Sequence, residues 1–366
     1  MQPISKQDVF RVTGLLLLVT LSFSIFYWGM FDKAKIFLPT WDNAMLHAGR
    51  AVFIMETGHY AEKEVVFGGV TPTYHLPAYP ALVAGTAMLT GLDFVWAERL
   101  IAMLFSVLLA FSIYLIAKGI ANDWRAGVAA GIIAMASMNF MTWATRNSPL
   151  GLGNVLLPIA LYFVLKRRLL LAALTALVLA LDHQPSLLVF ILTTFIYFAY
   201  EYFEVIEKEF SKGKIAIEKF FSAIIQPTVF TAAVAGIVAF FTYMAWHIRQ
   251  TGMACLDFKC LPQLGAKEFG KSINPLEYIQ GNPQFIAISG ILLLPFSKVP
   301  SKNKAMAFAW LIACLLLVKN DALGIGVFTE RFLTYLDCAI AVFGGIGIAL
   351  ALQWAENSKT KEKEQA

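Results

Sequence analysis

Apolar stretches of roughly 15 to 22 residues recur along this chain, separated by short polar pieces. Crossing a hydrocarbon core about 30 Å thick as α-helix takes about 20 such residues. The stretches lack the alternation of period two that a membrane β-barrel requires, and only helices and closed barrels satisfy the backbone in lipid. The pattern therefore predicts an all-α, polytopic membrane protein with about ten spans, at 12–31, 99–117, 126–143, 151–165, 169–182, 186–203, 226–246, 284–297, 305–318 and 333–353. Residues 1–366 read as one transmembrane domain. Lysine and arginine gather at 1–11, 118–125, 166–168, 204–219, 298–304 and 359–363. Placing all six on the cytoplasmic side, with both termini, gives a consistent topology.

One apolar run, 76–92, does not fit that topology. Counted as a span, it would move the basic pieces at 118–125 and 166–168 to the outer side. It reads instead as a re-entrant or interface-lying helix, opened by Pro72, Pro77 and Pro80 and closed by Gly91. The first outer loop, about 32–98, then becomes the largest. A second outer loop, about 247–283, carries Cys255 and Cys260, whose spacing suits a small disulfide on an oxidising face. Charged and aromatic residues interleave over about 204–222, as in an amphipathic helix on the cytoplasmic surface. Cys314 and Cys338 fall within spans and read as packing residues.

Composition agrees: 58% of the residues are hydrophobic and 14% charged, with a mean hydropathy of +0.67. The formal charge of +5 sits in short loops, so it reflects membrane orientation and not nucleic-acid binding. The first run follows Lys6 and Arg11 and ends in Tyr27-Trp28, an interfacial anchor, without a small-residue cleavage site. It reads as a retained span, not a secretory signal.

Polar chemistry concentrates at the outer ends of the spans. Directly behind the first span comes Trp41-Asp42-Asn43-Ala44-Met45-Leu46-His47-Ala48-Gly49-Arg50. Asp42 suits a general base, and equally the cap of an amphipathic helix that ends near Gly58. Asn43, His47 and Arg50 recur at helical spacing on one side of that segment. Arg146 and Arg331 could hold a phosphate bidentately, or snorkel to the interface, with Glu330 beside Arg331 as a possible ion-pair partner. His183 could donate to a phosphate or be held by Asp182. His59, Tyr74 and His75 complete the substrate-binding candidates, and Glu98-Arg99 reads as a salt-bridged start to the second span. Cys255 and Cys260 alone are too few to hold zinc, and no cofactor is legible. Gly-rich phosphate loops, G-x-S-x-G and H-E-x-x-H are absent from the sequence.

The arrangement resembles the GT-C superfamily of membrane glycosyltransferases that use lipid-phosphate sugars. Asp42, His47 and Arg50 match its acid-x-x-x-x-H/Y-x-x-x-R form approximately, followed by Gly58-His59-Tyr60 and the proline-rich Pro72-Thr73-Tyr74-His75-Leu76-Pro77-Ala78-Tyr79-Pro80. Glu98-Arg99-Leu100, Thr145-Arg146 and Arg331-Phe332 are similar to further family elements. The chain departs from the pattern at Asn43 and Leu150, where many members carry acids. Asp182-His183-Gln184-Pro185 stands where many have a lysine.

The resemblance implies an inverting transfer of one sugar from a polyprenyl-phosphate donor to an acceptor hydroxyl on a lipid, glycan or protein at the outer face of the cell membrane. It implies Asp42 as base, and no nucleic acid among the partners. The Trp-Trp-Asp signature of oligosaccharyltransferases is missing, and so is their soluble domain, so transfer of a whole glycan is not expected. A lipid-linked saccharide flippase or carrier would need polar groups deep inside its spans. A non-catalytic accessory subunit of a glycan-assembly complex would keep the fold without the chemistry.

Overall fold

The computed structural model describes residues 5–27, 42–63, 76–137, 148–210, 227–251, 274, 283–326 and 328–365. These residues form twelve α-helices: α1 (Lys6–Tyr27), α2 (Asp42–Thr57), α3 (Ala78–Thr90), α4 (Phe94–Ala121), α5 (Trp124–Met135), α6 (Pro149–Leu165), α7 (Leu169–Ala180), α8 (Gln184–Phe210), α9 (Pro227–Thr251), α10 (Ala287–Leu293), α11 (Ser301–Val318) and α12 (Thr329–Gln365). Each of the ten expected spans falls on one of them, and α2 and α3 occupy the first loop. Five stretches are long and apolar enough to cross a membrane unaided: Phe94–Ala121, Gln184–Glu204, Phe230–Arg249, Ser301–Val318 and Thr329–Ser358. The protein is a polytopic helical membrane protein.

The first loop folds as its punctuation predicts. α2 ends where Gly58 takes φ +77° and its N–H returns to the Ile54 carbonyl at 2.8 Å. α3 follows Pro77 and stops at Gly91 with φ 72°, again in the left-handed region. Its 13 residues reach about 20 Å, short of the bilayer's core. Tyr79, Val83, Ala84 and Ala87 are buried where α3 packs against α2 and α4.

Tight turns set the register of the spans. Asn122 takes φ 56° to end α4, and Asp123 caps α5 through the Arg125 N–H. Arg167, at φ 58°, reverses the chain between α6 and α7. α4 packs against α1, α3, α5 and α6, and α12 against α5, α10 and α11. Small residues allow the closest approaches: a Cβ at Gly345 would strike the Ala126 carbonyl, and one at Gly290 would strike the carbonyl of Phe343. Cys314 and Cys338 are buried free thiols. The amphipathic helix expected near 204–222 begins as a continuation of α8 to Phe210; residues 211–226 lie outside the described set.

The two ends of α4 fix two opposite faces of the bundle. At its C-terminal end the Gly119 carbonyl accepts from Lys166 Nζ at 3.3 Å and Asn303 Nδ2 at 3.2 Å. Asp123, Arg125, Gln353 and Glu356 join on that same face. The opposite end, near Glu98, carries α2, α3 and the 181–183 turn, tied together by the Ala78 N–H to Leu181 carbonyl hydrogen bond of 2.9 Å.

Candidate active site

α2 brings the first two site residues inward. His47 and Arg50 lie three residues apart on one face, and both are buried, Arg50 completely. Arg50 Nη1 is 3.4 Å from His47 Nδ1. A guanidinium only donates, so Nδ1 accepts and the imidazole proton resides on Nε2. The His47 ring meets Tyr79 of α3 edge to face at 5.6 Å.

Tyr79 leads deeper. Its hydroxyl is fully buried, makes no hydrogen bond to a described residue, and lies within electrostatic reach of Glu98 on α4 and Asp182 in the turn before α8. Glu98 is completely buried. Adjacent helical residues point about 100° apart, and Arg99 covers the Trp96 ring at 5.3 Å. Asp182 is buried too, and neither carboxylate oxygen meets a hydrogen-bond donor among the described residues. Burial pushes its carboxyl well above the ordinary carboxylate range.

On the far side stands Tyr335 of α12, which both Asp182 and Arg331 reach electrostatically. His183 Nδ1 and the Tyr335 hydroxyl share a hydrogen bond of 3.0 Å, so His183 has a partner that its neighbour Asp182 did not foretell. Gly153 permits this closeness, because a Cβ there would sit 2.8 Å from Ser186 Oγ and 2.9 Å from the Tyr335 hydroxyl. Arg331, one turn before Tyr335, lies over the Phe328 ring at 4.9 Å, and Glu330 beside it is exposed. The result is a buried row, His47–Arg50, Tyr79, Glu98 and Asp182, then Tyr335 with His183, with half-buried Arg331 beside it.

Other expected residues fall elsewhere. His59 is exposed past the end of α2, bonded through Nδ1 to the Thr57 carbonyl at 3.2 Å and set against Phe53 at 5.4 Å. Ten residues of helix separate His47 from Thr57, about 15 Å, so His59 stands apart from the row. Beyond it Tyr60 packs on Trp246 at 5.6 Å, which brings the loop to the end of α9. Asp42 and Asn43 open α2, and Asn43 occupies the helical row of His47 and Arg50 by register. Tyr74, His75, Arg146, Cys255 and Cys260 lie outside the described residues.

Sequence reasoning missed Tyr79, Tyr335 and the burial of Glu98. A signal existed for Glu98: it falls at i, i+4, i+7 and i+11 with Ala102, Phe105 and Leu109, all buried. It also missed Asp337, a buried acid two turns inside α12 whose carboxylate accepts from Ser137 Oγ at 3.5 Å. Among the described residues no three His, Cys, Asp or Glu side chains form a group able to hold a metal ion.

Comparison with known proteins points to one fold. No family model and no curated protein matches the sequence. Among solved structures, the chain is similar to the archaeal oligosaccharyltransferase AglB from Archaeoglobus fulgidus, in complex with an inhibitory peptide and a dolichol-phosphate. That match has TM-score 0.66 and 12% identity, covering 98% of this chain and 52% of the other. The chain is likewise similar to ArnT from Cupriavidus metallidurans bound to undecaprenyl phosphate, with TM-score 0.60 and 14% identity, over 95% of this chain and 61% of that one. It spans about half the length of the oligosaccharyltransferase structures it matches. The chain shares the polytopic helical fold of these structures.

Proposed function

We propose that this protein is an integral membrane glycosyltransferase. It moves a single sugar from a polyprenyl-phosphate donor to an acceptor hydroxyl at the outer face of the membrane, with both termini cytoplasmic. The observation that carries this reading is the buried polar row at one end of the bundle, built from residues of α2, α3, α4, the 181–183 turn and α12. Buried ionisable groups at a membrane edge are costly and mark functional sites by default. Two proteins of the same fold were solved with dolichol-phosphate and undecaprenyl phosphate bound, which supports a lipid-phosphate ligand here.

In this reading Asp42 takes the proton of the acceptor hydroxyl. The oxygen attacks the anomeric carbon from the side opposite the phosphate, the bond from carbon to phosphate oxygen breaks, and the configuration inverts. Arg331 and His183, brought together through Tyr335, receive the charge that builds on the departing lipid phosphate. His47 and Arg50 line the sugar side, with Asn43 in their row. Arg146, Tyr74 and His75 complete the substrate-binding set.

Membranes containing the purified chain, supplied with labelled polyprenyl-phosphate mannose, glucose or arabinose and a native acceptor extract, test the reading. Transfer of one sugar and release of lipid phosphate are expected. Transfer only from a lipid-linked oligosaccharide would replace single-sugar transfer by transfer of a whole glycan. Movement of the lipid across the bilayer without bond cleavage would establish a carrier. No turnover combined with stable binding to a larger glycosyltransferase would establish an accessory subunit.

A further inference from the structure

On the face opposite the site, four helix ends bring four cations together. Lys166 Nζ donates to the Gly119 carbonyl at 3.3 Å, which places it beside Lys118. Asn303 Nδ2 donates to the same carbonyl at 3.2 Å and to Ile120 at 2.8 Å, which draws in its neighbour Lys302. Arg11 of α1 lies within electrostatic reach of Lys118. Burial, then the charges of Lys118 and Lys302, hold the Lys166 amine below its ordinary range. None of these four cations forms an ion pair with a described residue.

Three acids of that face already have other partners. Asp123 and Glu356 bind Arg125 at 2.9 Å and 2.6 Å, and Asp8 bonds Ser5 at 2.6 Å. Two ordinary explanations fall short. The positive-inside rule accounts for cations in loops, but not for their convergence from α1, α4, the α6–α7 turn and α11. Capping the C-terminal end of α4 offers about half a negative charge, against four positive ones. Beside Arg11, Val9, Phe10 and Val12 are more than half exposed, at 53%, 65% and 54%, giving acyl chains an apolar surface to lie on.

We propose that Arg11, Lys118, Lys166 and Lys302 form a binding site for the phosphate headgroup of an anionic phospholipid in the leaflet opposite the candidate active site. The phosphate bridges cations of four helices, so the bound lipid ties α1 and α11 to the end of α4.

Native mass spectrometry of the full chain, titrated with phosphatidylglycerol or phosphatidylcholine, tests this site. Phosphatidylglycerol should bind about tenfold more tightly or better, and each of Lys118→Gln, Lys166→Gln and Lys302→Gln should weaken it roughly fivefold. In lipid-free detergent Lys166→Gln should melt no lower than wild type, because it relieves repulsion; in phosphatidylglycerol it should gain less thermal stability than wild type. Equal binding of the two lipids, or undiminished phosphatidylglycerol binding by all three variants, would overturn the proposal. So would displacement of the lipid by inorganic phosphate at millimolar concentration, which would make the ligand a soluble phosphate. Should Lys166→Gln fail to fold, Lys302→Gln carries the same comparison.

Discussion

The two ends of α4 treat buried acids in opposite ways. At the end where α4 meets α5, Asp123 receives the Arg125 N–H at 2.9 Å, the Arg125 side chain at 3.0 Å and Gln353 at 3.0 Å. Burial alone would raise its carboxyl, but these hydrogen bonds and the Arg125 charge together hold it below the ordinary range. At the other end Asp182 is more deeply enclosed, yet no described donor reaches its oxygens. An unsatisfied buried polar group costs about 1–3 kcal/mol, and Tyr79 and Asp182, within electrostatic reach of one another, are both in that condition. The first end is arranged for stability. The second keeps hydrogen-bonding capacity in reserve for a ligand that brings hydroxyls or phosphate oxygens.

Four perturbations would break or sharpen this contrast. The largest effect belongs to Arg331→Gln, which should lower turnover about a hundredfold while the melting temperature stays near wild type, since Arg331 is only partly buried. Initial rates beside a thermal melt would show both. Next, Tyr335→Phe removes the hydroxyl bonded to His183 and should cost about fivefold in rate, from roughly 1 kcal/mol of lost orientation. A proton spectrum of the His183 ring should shift in the same variant, and an unchanged spectrum would remove Tyr335 from the site.

The third perturbation concerns pH. A raised carboxyl such as Asp182 binds its proton more tightly folded than unfolded, so its contribution to stability is present in acid and lost as pH rises towards the folded value. Wild type should therefore lose thermal stability as pH rises above the ordinary carboxylate range, and Asp182→Asn should flatten that slope. Asp123 has the opposite sign: its contribution is present at neutral pH and lost as pH falls below the ordinary carboxylate range, and Asp123→Asn should flatten the acid limb. Matching slopes in the two variants would erase the difference between the ends. The smallest effect on turnover is Arg125→Gln, whose rate should equal that of wild type; its cost falls on stability, about 1–3 kcal/mol, because it strips buried Asp123 of its ion pair.

Much of the fold was legible in the sequence because the bilayer imposes long apolar runs, and because glycine and proline mark their ends. Gly58, Pro77 and Gly91 stop and start α2 and α3 where expected. The basic end was legible as well, since lysine and arginine there follow membrane orientation. The site was legible only along single helices. Spacing placed His47 and Arg50 on one face, but it could not say that Tyr79 stands against His47 or that Tyr335 meets His183. Those contacts join residues 32 and 152 positions apart, and helical periodicity fixes a side chain's direction only within its own helix. The burial of Glu98 beside Arg99, which covers Trp96, was likewise not legible from their adjacency. Asp337 was hidden because one acid barely dents the hydropathy of the longest span.

The most direct test of the central claim compares wild type with Asp42→Asn for consumption of labelled polyprenyl-phosphate sugar, at equal folding and equal donor binding. The account predicts turnover by wild type and its loss, about a thousandfold or more, in the variant. Equal turnover by the two proteins would contradict it and remove Asp42 from the chemistry.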